Sequence, residues 1–455
     1  MGSVAAAMRQ RGYGVTGSDA GVYPPMSTFL AEQGIEVVEG YRADNIPTDA
    51  TTVVIGNAIS RGNDEAEEVL NRRILYRSLP EVLKEYFLRG KRNFVVSGTH
   101  GKTTTSALLA WLFEAAGKKP DFMIGGLPKN FGQGARFQGA DLTVLEGDEY
   151  DTAFFDKRSK FLHYLPEVVV VNRIDFDHAD IYNGIEPILY TFERLMAIVP
   201  QNGRVFVDGD SKYSVQIAKG VKNVTKVGLN ADCDSQITEI DYQPEGTSFL
   251  LEGDRYEVPM VGEFNVRNAA MAILSAKVYG LSAAEIQKGL ASFEGVARRQ
   301  EERGVANGVT VVDDFAHHPA AIKLAISALR QKYQGRKLWV AFEPRSNTTR
   351  RKVFQQELVD TLAGADAVVL PTLKGVEKIA VEDRLDINQL VDDLGAKGTP
   401  CQLFEEVEEM VESLCEQAKE GDVVAVLSNG GFDGLHEKLL TGLQKREQSA
   451  EAVPS

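Results

Sequence analysis

Short apolar runs that end in glycine or acidic residues alternate along the chain with segments whose apolar residues recur every three to four positions. The first kind reads as buried strand and the second as helix lying on a sheet. Near the start, "SVAAAMRQRG" reads as helix, "YGVTGSD" as a strand entering a turn, and "TTVVIGNAIS" as a buried strand. Further on, "RNFVVSG" is a strand that leads into "TTTSALLAWLFEAAG", a helix closed by Gly117. "ADLTVLEGDEYD" and "PEVVVVNRIDFDH" are two more strands, each ending in acidic or imidazole side chains. From Glu301, "GVTVVDDFAHHP", "KLWVAFEPR", "ADAVVLP" and "GDVVAVLSNGG" repeat the strand-and-helix unit and predict a second parallel sheet. The pattern predicts three α/β domains, over residues 1–89, 90–300 and 301–445. A polar tail, 446–455, is expected to be disordered.

Composition narrows the partners. The 455 residues exceed what one core needs, in keeping with several domains. Fifty Lys and Arg against 65 Asp and Glu give a net charge of −15, without a long basic run, which argues against a nucleic-acid backbone as partner. A small anion is still allowed, because a nest of N–H groups and one lysine can hold phosphate on an acidic protein. Cys233, Cys401 and Cys415 lack metal-like spacing and read as reduced thiols of a cytoplasmic protein. No apolar run is long enough to span a bilayer and no signal peptide opens the chain, so a membrane partner is not expected.

The sharpest chemistry lies in "SGTHGKTTTS". The usual phosphate loop is G-x-x-x-x-G-K-[ST], which would need glycine where Val96 stands; here the match is to the shorter G-x-x-G-K-T. Gly98, Thr99, His100, Gly101, Lys102, Thr103 and Thr104 still place N–H groups, a lysine charge and hydroxyls at a helix start, as an anion with its metal requires. "EGDEYD" offers Glu146, Asp148, Glu149 and Asp151 as hard oxygen ligands just past a strand. His100, His178, His317 and His318 all lie in strand-end segments, where ligands of such sheets bind. Asn265 and Asn268 share a helix face, either to read a base edge or to cap the helix. Arg298 and Arg299 form either a solvated hinge or a site for phosphoryl charge. "DDFAHHPAAI" and "FEPRSNTTRR" follow strands, as catalytic or substrate-positioning loops do. These patterns reach an ATP- or GTP-dependent enzyme and leave kinase, ligase and NTPase open.

Taken in order, "GTHGKTTT", "EGDEYD", "NRIDFDHADIYNG", "GEFNVRNA" and "DDFAHHP" resemble the Mur ligase family of peptidoglycan synthesis. The resemblance implies three domains: a Rossmann-like N-terminal domain for a UDP-sugar, a central P-loop ATPase-like domain, and a C-terminal Rossmann-like domain. It implies ATP and Mg²⁺, and amide formation through an acyl-phosphate. One branch of the family adds L-alanine to UDP-N-acetylmuramate. Another attaches the murein tripeptide L-alanyl-γ-D-glutamyl-meso-diaminopimelate to the same sugar nucleotide. "EGDEYDTAFFDKRSKFLHYLP", "SDAGVYPPMS" and "SNGGFDGLHEKLL" look like the tripeptide branch.

By motif, the resemblance assigns Lys102 to the β- and γ-phosphates, and Thr103, Glu146 and His178 to Mg²⁺. It assigns Asn265 and Asn268 to adenine and Arg299 to the phosphates. Asp314 and His318 fall near the ribose and reaction centre, and Arg345 on the acceptor side. Family members open with a strand and a glycine-rich turn for the uridine diphosphate, whereas this chain begins "MGSVAAAM"; the expectation is an internal methionine and a longer native protein. A folate-type polyglutamate ligase is disfavoured because the N-terminal region has no place in it. A degenerate, non-catalytic nucleotide-binding protein is disfavoured because Lys102, Glu146, His178 and His318 are all present. A monomer or weak dimer is expected.

Overall fold

Valine-rich runs such as "VVVV" at 168–171 are apolar at every position, which suits strands covered on both faces. A computed structural model describes residues 1–23, 26–176, 184–346, 348–377 and 379–451, with side chains to 448. They fall into two compact units. One comprises Met1–Ile174, Glu186–Gln236 and Ala270–Ser292; the other comprises Asp175–Ile185, Ile237–Ala269 and the chain from Phe293.

The first unit opens with helix Gly2–Gln10, followed by two parallel strand pairs. Thr16–Asp19 pairs with Glu36–Glu39, and Thr52–Ile55 with Leu75–Ser78. Helix Asp64–Asn71 starts where the Asn63 side chain accepts from the N–H groups of Glu65 and Ala66. Helix Leu79–Leu83 starts with a reciprocal Ser78–Glu81 capping box.

Strand Arg92–Ser97 then lies between Leu142–Glu146 and Val168–Val171, parallel to both. Asp121–Met123 extends the sheet beyond Leu142–Glu146, and Arg204–Asp208 and Val224–Gly228 extend it on the other side. The chain thus builds one flank, returns, and crosses over Arg92–Ser97 to build the other. The carboxyl end of that strand is a topological switch point, where α/β sheets bind ligands. Helix Lys102–Ala115 covers the sheet with Leu108, Leu109, Leu112 and Phe113 fully buried. It is held by helix Ala283–Ala291, where Gly289 admits Leu112 closely.

The second unit contains the antiparallel meander Ser235–Gln243, Gly246–Leu251 and Asp254–Val258, counted from Ile237. It also contains a six-stranded sheet in the order Glu301–Ala306, Val309–Asp314, Val423–Leu427, Leu338–Phe342, Ala367–Pro371, Cys401–Phe404. Alternation assigns the two faces. Val312, Val340, Phe342, Ala425 and Leu427 enter one apolar layer, and Val311, Trp339, Ala341, Val424 and Val426 the other. The expected parallel sheet is present with one difference: Glu301–Ala306 pairs antiparallel at its edge, as a hairpin through Asn307 and Gly308. The expected disordered tail needs correction for residues 446–451, which continue helix Leu435–Glu451. Residues such as Lys445, Arg446 and Glu447 are good helix formers, so polarity there marks a solvated face. Residues 452–455 lie outside the described residues.

Candidate functional site

In the first unit, strand Arg92–Ser97 ends at Gly98, whose φ of +118° and close approach to Asn172 leave no room for a side chain: a Cβ would lie 3.0 Å from backbone atoms of Asn172. The N–H groups of Thr99 and His100 donate to the carbonyl of Arg173, at 2.8 and 3.4 Å, and tie the loop to the neighbouring strand end. Gly101, at φ +81°, is the helix N-cap, and Lys102 is the first helical residue. The first-turn N–H groups point out of the helix start, the end at which a helix favours an anion.

Four side chains complete this cluster. The Lys102 ammonium donates to the carbonyl of Gly98 at 2.6 Å and to the Glu149 carboxylate at 3.0 and 3.1 Å. The Thr103 hydroxyl donates to Glu146 Oε1 at 3.0 Å, and the Gly125 N–H to Glu146 Oε2 at 2.7 Å. Burial works against the charge on Lys102, but Glu149, Asp148 and Glu146 outweigh it and raise its pKa. Burial likewise opposes the charge on Asp148, and the ammonium groups of Lys160 and Lys102 outweigh it, lowering that pKa. The hydroxyl of Thr103 and carboxylate of Glu146 are hard oxygen donors side by side, which is the donor chemistry Mg²⁺ takes. His178 lies outside the described residues. Among the described residues no group of three or more His, Cys, Asp and Glu is arranged to hold a metal.

In the second unit a further cluster gathers at the carboxyl ends of three adjacent strands. Asp314 is buried, accepting from the N–H groups of Gln300 at 2.8 Å and Ala316 at 2.7 Å, and burial raises its pKa. Arg298 sits in the left-handed region at φ +60°, donates to the carbonyls of Ser428 and Gly430, and pairs with Asp313. Arg298 and Arg299 both stack on Phe315. Of the two sequence alternatives for these arginines, Arg298 is thus a structural tie, while Arg299 lies by the charge of Asp314. Arg345 is exposed, and its guanidinium lies across Gly430, where any Cβ would collide with it.

His318 is the N-cap of helix Pro319–Lys332, with Nδ1 accepting from the Ala320 N–H at 3.2 Å. The neutral ring therefore carries its proton on Nε2. Asn265 and Asn268 are buried inside helix Glu263–Tyr279 rather than at its cap. Asn265 donates to the Val261 carbonyl and Asn268 to Asn265 Oδ1, so the capping alternative does not hold.

Two residues of these clusters escaped sequence reasoning. Glu149 was one acid among four in "EGDEYD", and only the fold singles it out by its grip on Lys102. Buried His436 stands 3.3 Å from Asp313, although 122 residues lie between them in the chain.

Known proteins resemble the chain over nearly its whole length. Models of the Mur ligase family match the chain in three consecutive pieces: the catalytic domain over residues 1–91, the middle domain over 96–276, and the glutamate ligase domain over 298–430. The chain is 40% identical over 456 residues to the UDP-N-acetylmuramate–L-alanyl-γ-D-glutamyl-meso-2,6-diaminoheptandioate ligase of Escherichia coli K12, covering 99% of this chain and 97% of that one. It is 31% identical to a UDP-N-acetylmuramate–L-alanine ligase of Desulforapulum autotrophicum, covering 97% of this chain and 95% of that one. A solved structure of a murein peptide ligase from Psychrobacter arcticus is similar to it with a TM-score of 0.69 and 32% identity, covering 98% of this chain and 96% of the other.

Proposed function

The chain belongs to the Mur ligase family, and we propose that it joins the murein tripeptide to UDP-N-acetylmuramate for peptidoglycan recycling. It has the three-domain fold of that family and is an ATP-dependent, amide-forming ligase. The observation that carries the site assignment is the convergence of Lys102, Thr103 and Glu146 on one helix start at the switch point of the sheet. The tripeptide is favoured over L-alanine because full-length identity is 40% to the tripeptide ligase and 31% to the alanine ligase.

The amide forms in two steps. A carboxylate oxygen of the sugar nucleotide takes the γ-phosphoryl group of ATP, and ADP leaves. The amine of the tripeptide then attacks the acyl carbon, a proton is lost from nitrogen, and phosphate leaves with its oxygen. Phosphorylation is needed because a carboxylate is a poor electrophile. Lys102 supplies positive charge to the phosphates, and the first-turn N–H groups orient them. Thr103 and Glu146, together with His178, would hold Mg²⁺, which when bound would draw charge from the phosphate oxygens.

Asn265 and Asn268 serve the adenine, Arg299 the phosphates, Asp314 and His318 the ribose and reaction centre, and Arg345 the incoming peptide. Residues 1–89 form the UDP-sugar domain, 90–300 the ATP domain and 301–445 the ligase domain. The protein works in the cytoplasm; among the described residues no helix is long and apolar enough to cross a membrane.

The test is phosphate release with ATP, Mg²⁺ and UDP-N-acetylmuramate, comparing tripeptide with L-alanine. Release and the amide product mass with tripeptide alone support the reading. Release with L-alanine alone assigns the chain to the other branch.

A further inference from the structure

The Lys102 ammonium has three protons to donate. They are spent on Gly98 O at 2.6 Å, on Thr99 O at 3.3 Å, and on both oxygens of Glu149 at 3.0 and 3.1 Å. The lysine is thus folded back along its own loop. Its partner is deeply set: the Glu149 side chain is 2% exposed and that of Lys102 15%. The Glu149 backbone is fixed as well, since its carbonyl accepts from the Ser159 hydroxyl at 2.6 Å.

A second lysine pair of this unit, Lys91 with Asp121 at 2.6 Å, joins a loop to a strand start. Lys102 differs because its charge is held at a place built to take phosphate. A buried carboxylate that loses its counter-charge is strongly unfavourable, so Glu149 resists giving the lysine up.

We propose that Glu149 is a positioning residue that acts through Lys102: it occupies the ammonium at the phosphate cradle, and the nucleotide enters by competing with it for the lysine. ATP binding is then an exchange of one anion for another on a single ammonium. The exchange weakens nucleotide affinity and returns the lysine to Glu149 when the product diphosphate leaves, which favours release of ADP. The inference rests on the proposed function only in taking the bound anion to be a nucleotide phosphate.

The experiment is calorimetric titration of the full chain with ADP in the absence of Mg²⁺. The chains compared are the unaltered protein, Glu149→Gln, Lys102→Ala and the double variant. Glu149→Gln should bind ADP on the order of tenfold tighter, the size of effect expected of one close charged contact. Most of that gain should vanish in the Lys102→Ala background, where no lysine remains to be released. ADP binding by Glu149→Gln that is no tighter than that of the unaltered protein overturns the proposal. So does an equal gain in both backgrounds, which would mean simple repulsion of ADP by the carboxylate.

If Glu149→Gln does not melt cooperatively, Glu149→Asp takes its place. Its shorter carboxylate reaches the lysine poorly, so a smaller gain of the same sign is expected, and no gain overturns the proposal. ADP titration involves neither sugar nucleotide nor peptide. A chain that shows the ADP effect yet forms no amide product therefore contradicts the ligase reading and leaves this one standing.

Discussion

The phosphate loop of the first unit and the arginine-rich cluster of the second occupy equivalent places, each at the carboxyl ends of parallel strands. They are put together in opposite ways. The loop draws on one continuous segment, Gly98 to Thr104, completed by Glu146 and Glu149 from the next strand end. Its anion-holding groups are largely backbone N–H donors that any sequence with the right glycines would supply. The other cluster draws single side chains from Arg298, Asp313, Asp314, His318, Arg345 and His436, scattered through the chain. A short motif can encode the first arrangement. Only a finished sheet can make the second.

Four measurements test that contrast. The largest effect is expected from Lys102→Ala, which should lower kcat by at least ~10²-fold, as removal of one buried charge-stabilising donor does. Measured by ADP release, near-normal turnover would mean that the loop's chemistry does not depend on its lysine. Next comes Gly98→Ala, which puts a side chain at φ +118° against the Asn172 backbone. A loss of about 1–3 kcal/mol is expected in urea unfolding, together with weaker ADP binding. An unchanged midpoint would show that the loop can shift freely.

The third concerns the scattered cluster. Burial alone would push the His436 pKa down, but the Asp313 carboxylate beside it, and then Glu437, raise it. A histidine with a raised folded pKa contributes stability that is complete below its ordinary value of about 6.5 and is lost as pH rises through the folded value. Asp313 is affected in the other sense. Burial opposes its charge, yet His436 and Arg298 lower its pKa, so its contribution is present above the ordinary carboxylate range and lost as pH falls through the lowered folded value. The melting temperature should therefore fall between pH 6 and pH 9, and His436→Gln should flatten that slope. A slope that survives the substitution assigns it to other groups.

The smallest effect is expected from Lys157→Ala, which removes an exposed pair with Asp151 at 2.5 Å. A change within ~1 kcal/mol is expected, because solvent screens such pairs. A larger loss in thermal unfolding would show that the hairpin Asp151–Ser159 bears more on the loop than its exposed ion pair suggests.

The same contrast explains what could be read in advance. Strands such as Val309–Asp314 and Val423–Leu427 were legible because burial on both faces leaves an unbroken apolar run. The meander at 235–258 went unread, although "TSFLL" and "RYEV" alternate as half-buried strands do, because its alternation is short and interrupted at Glu252–Gly253. Lys102, Thr103 and Glu146 were legible as types at fixed spacing. The grip of Glu149 was not, since four acids in "EGDEYD" are equivalent until backbone direction selects one. Arg298 and Arg299 are adjacent and chemically alike, and only a left-handed backbone turn separates the tie from its neighbour.

The cap made by His318 changes how its substitution should be interpreted. Because the ring caps a helix start and is also proposed to serve the reaction centre, alanine at that position would remove two functions at once. Loss of such a cap typically costs about 1 kcal/mol, enough to lower the amount of folded protein in a marginal chain and to mimic a catalytic defect. Asparagine keeps an acceptor for the Ala320 N–H while discarding the imidazole. The pair His318→Ala and His318→Asn thus separates foldedness from chemistry at a residue where a single alanine scan would merge them.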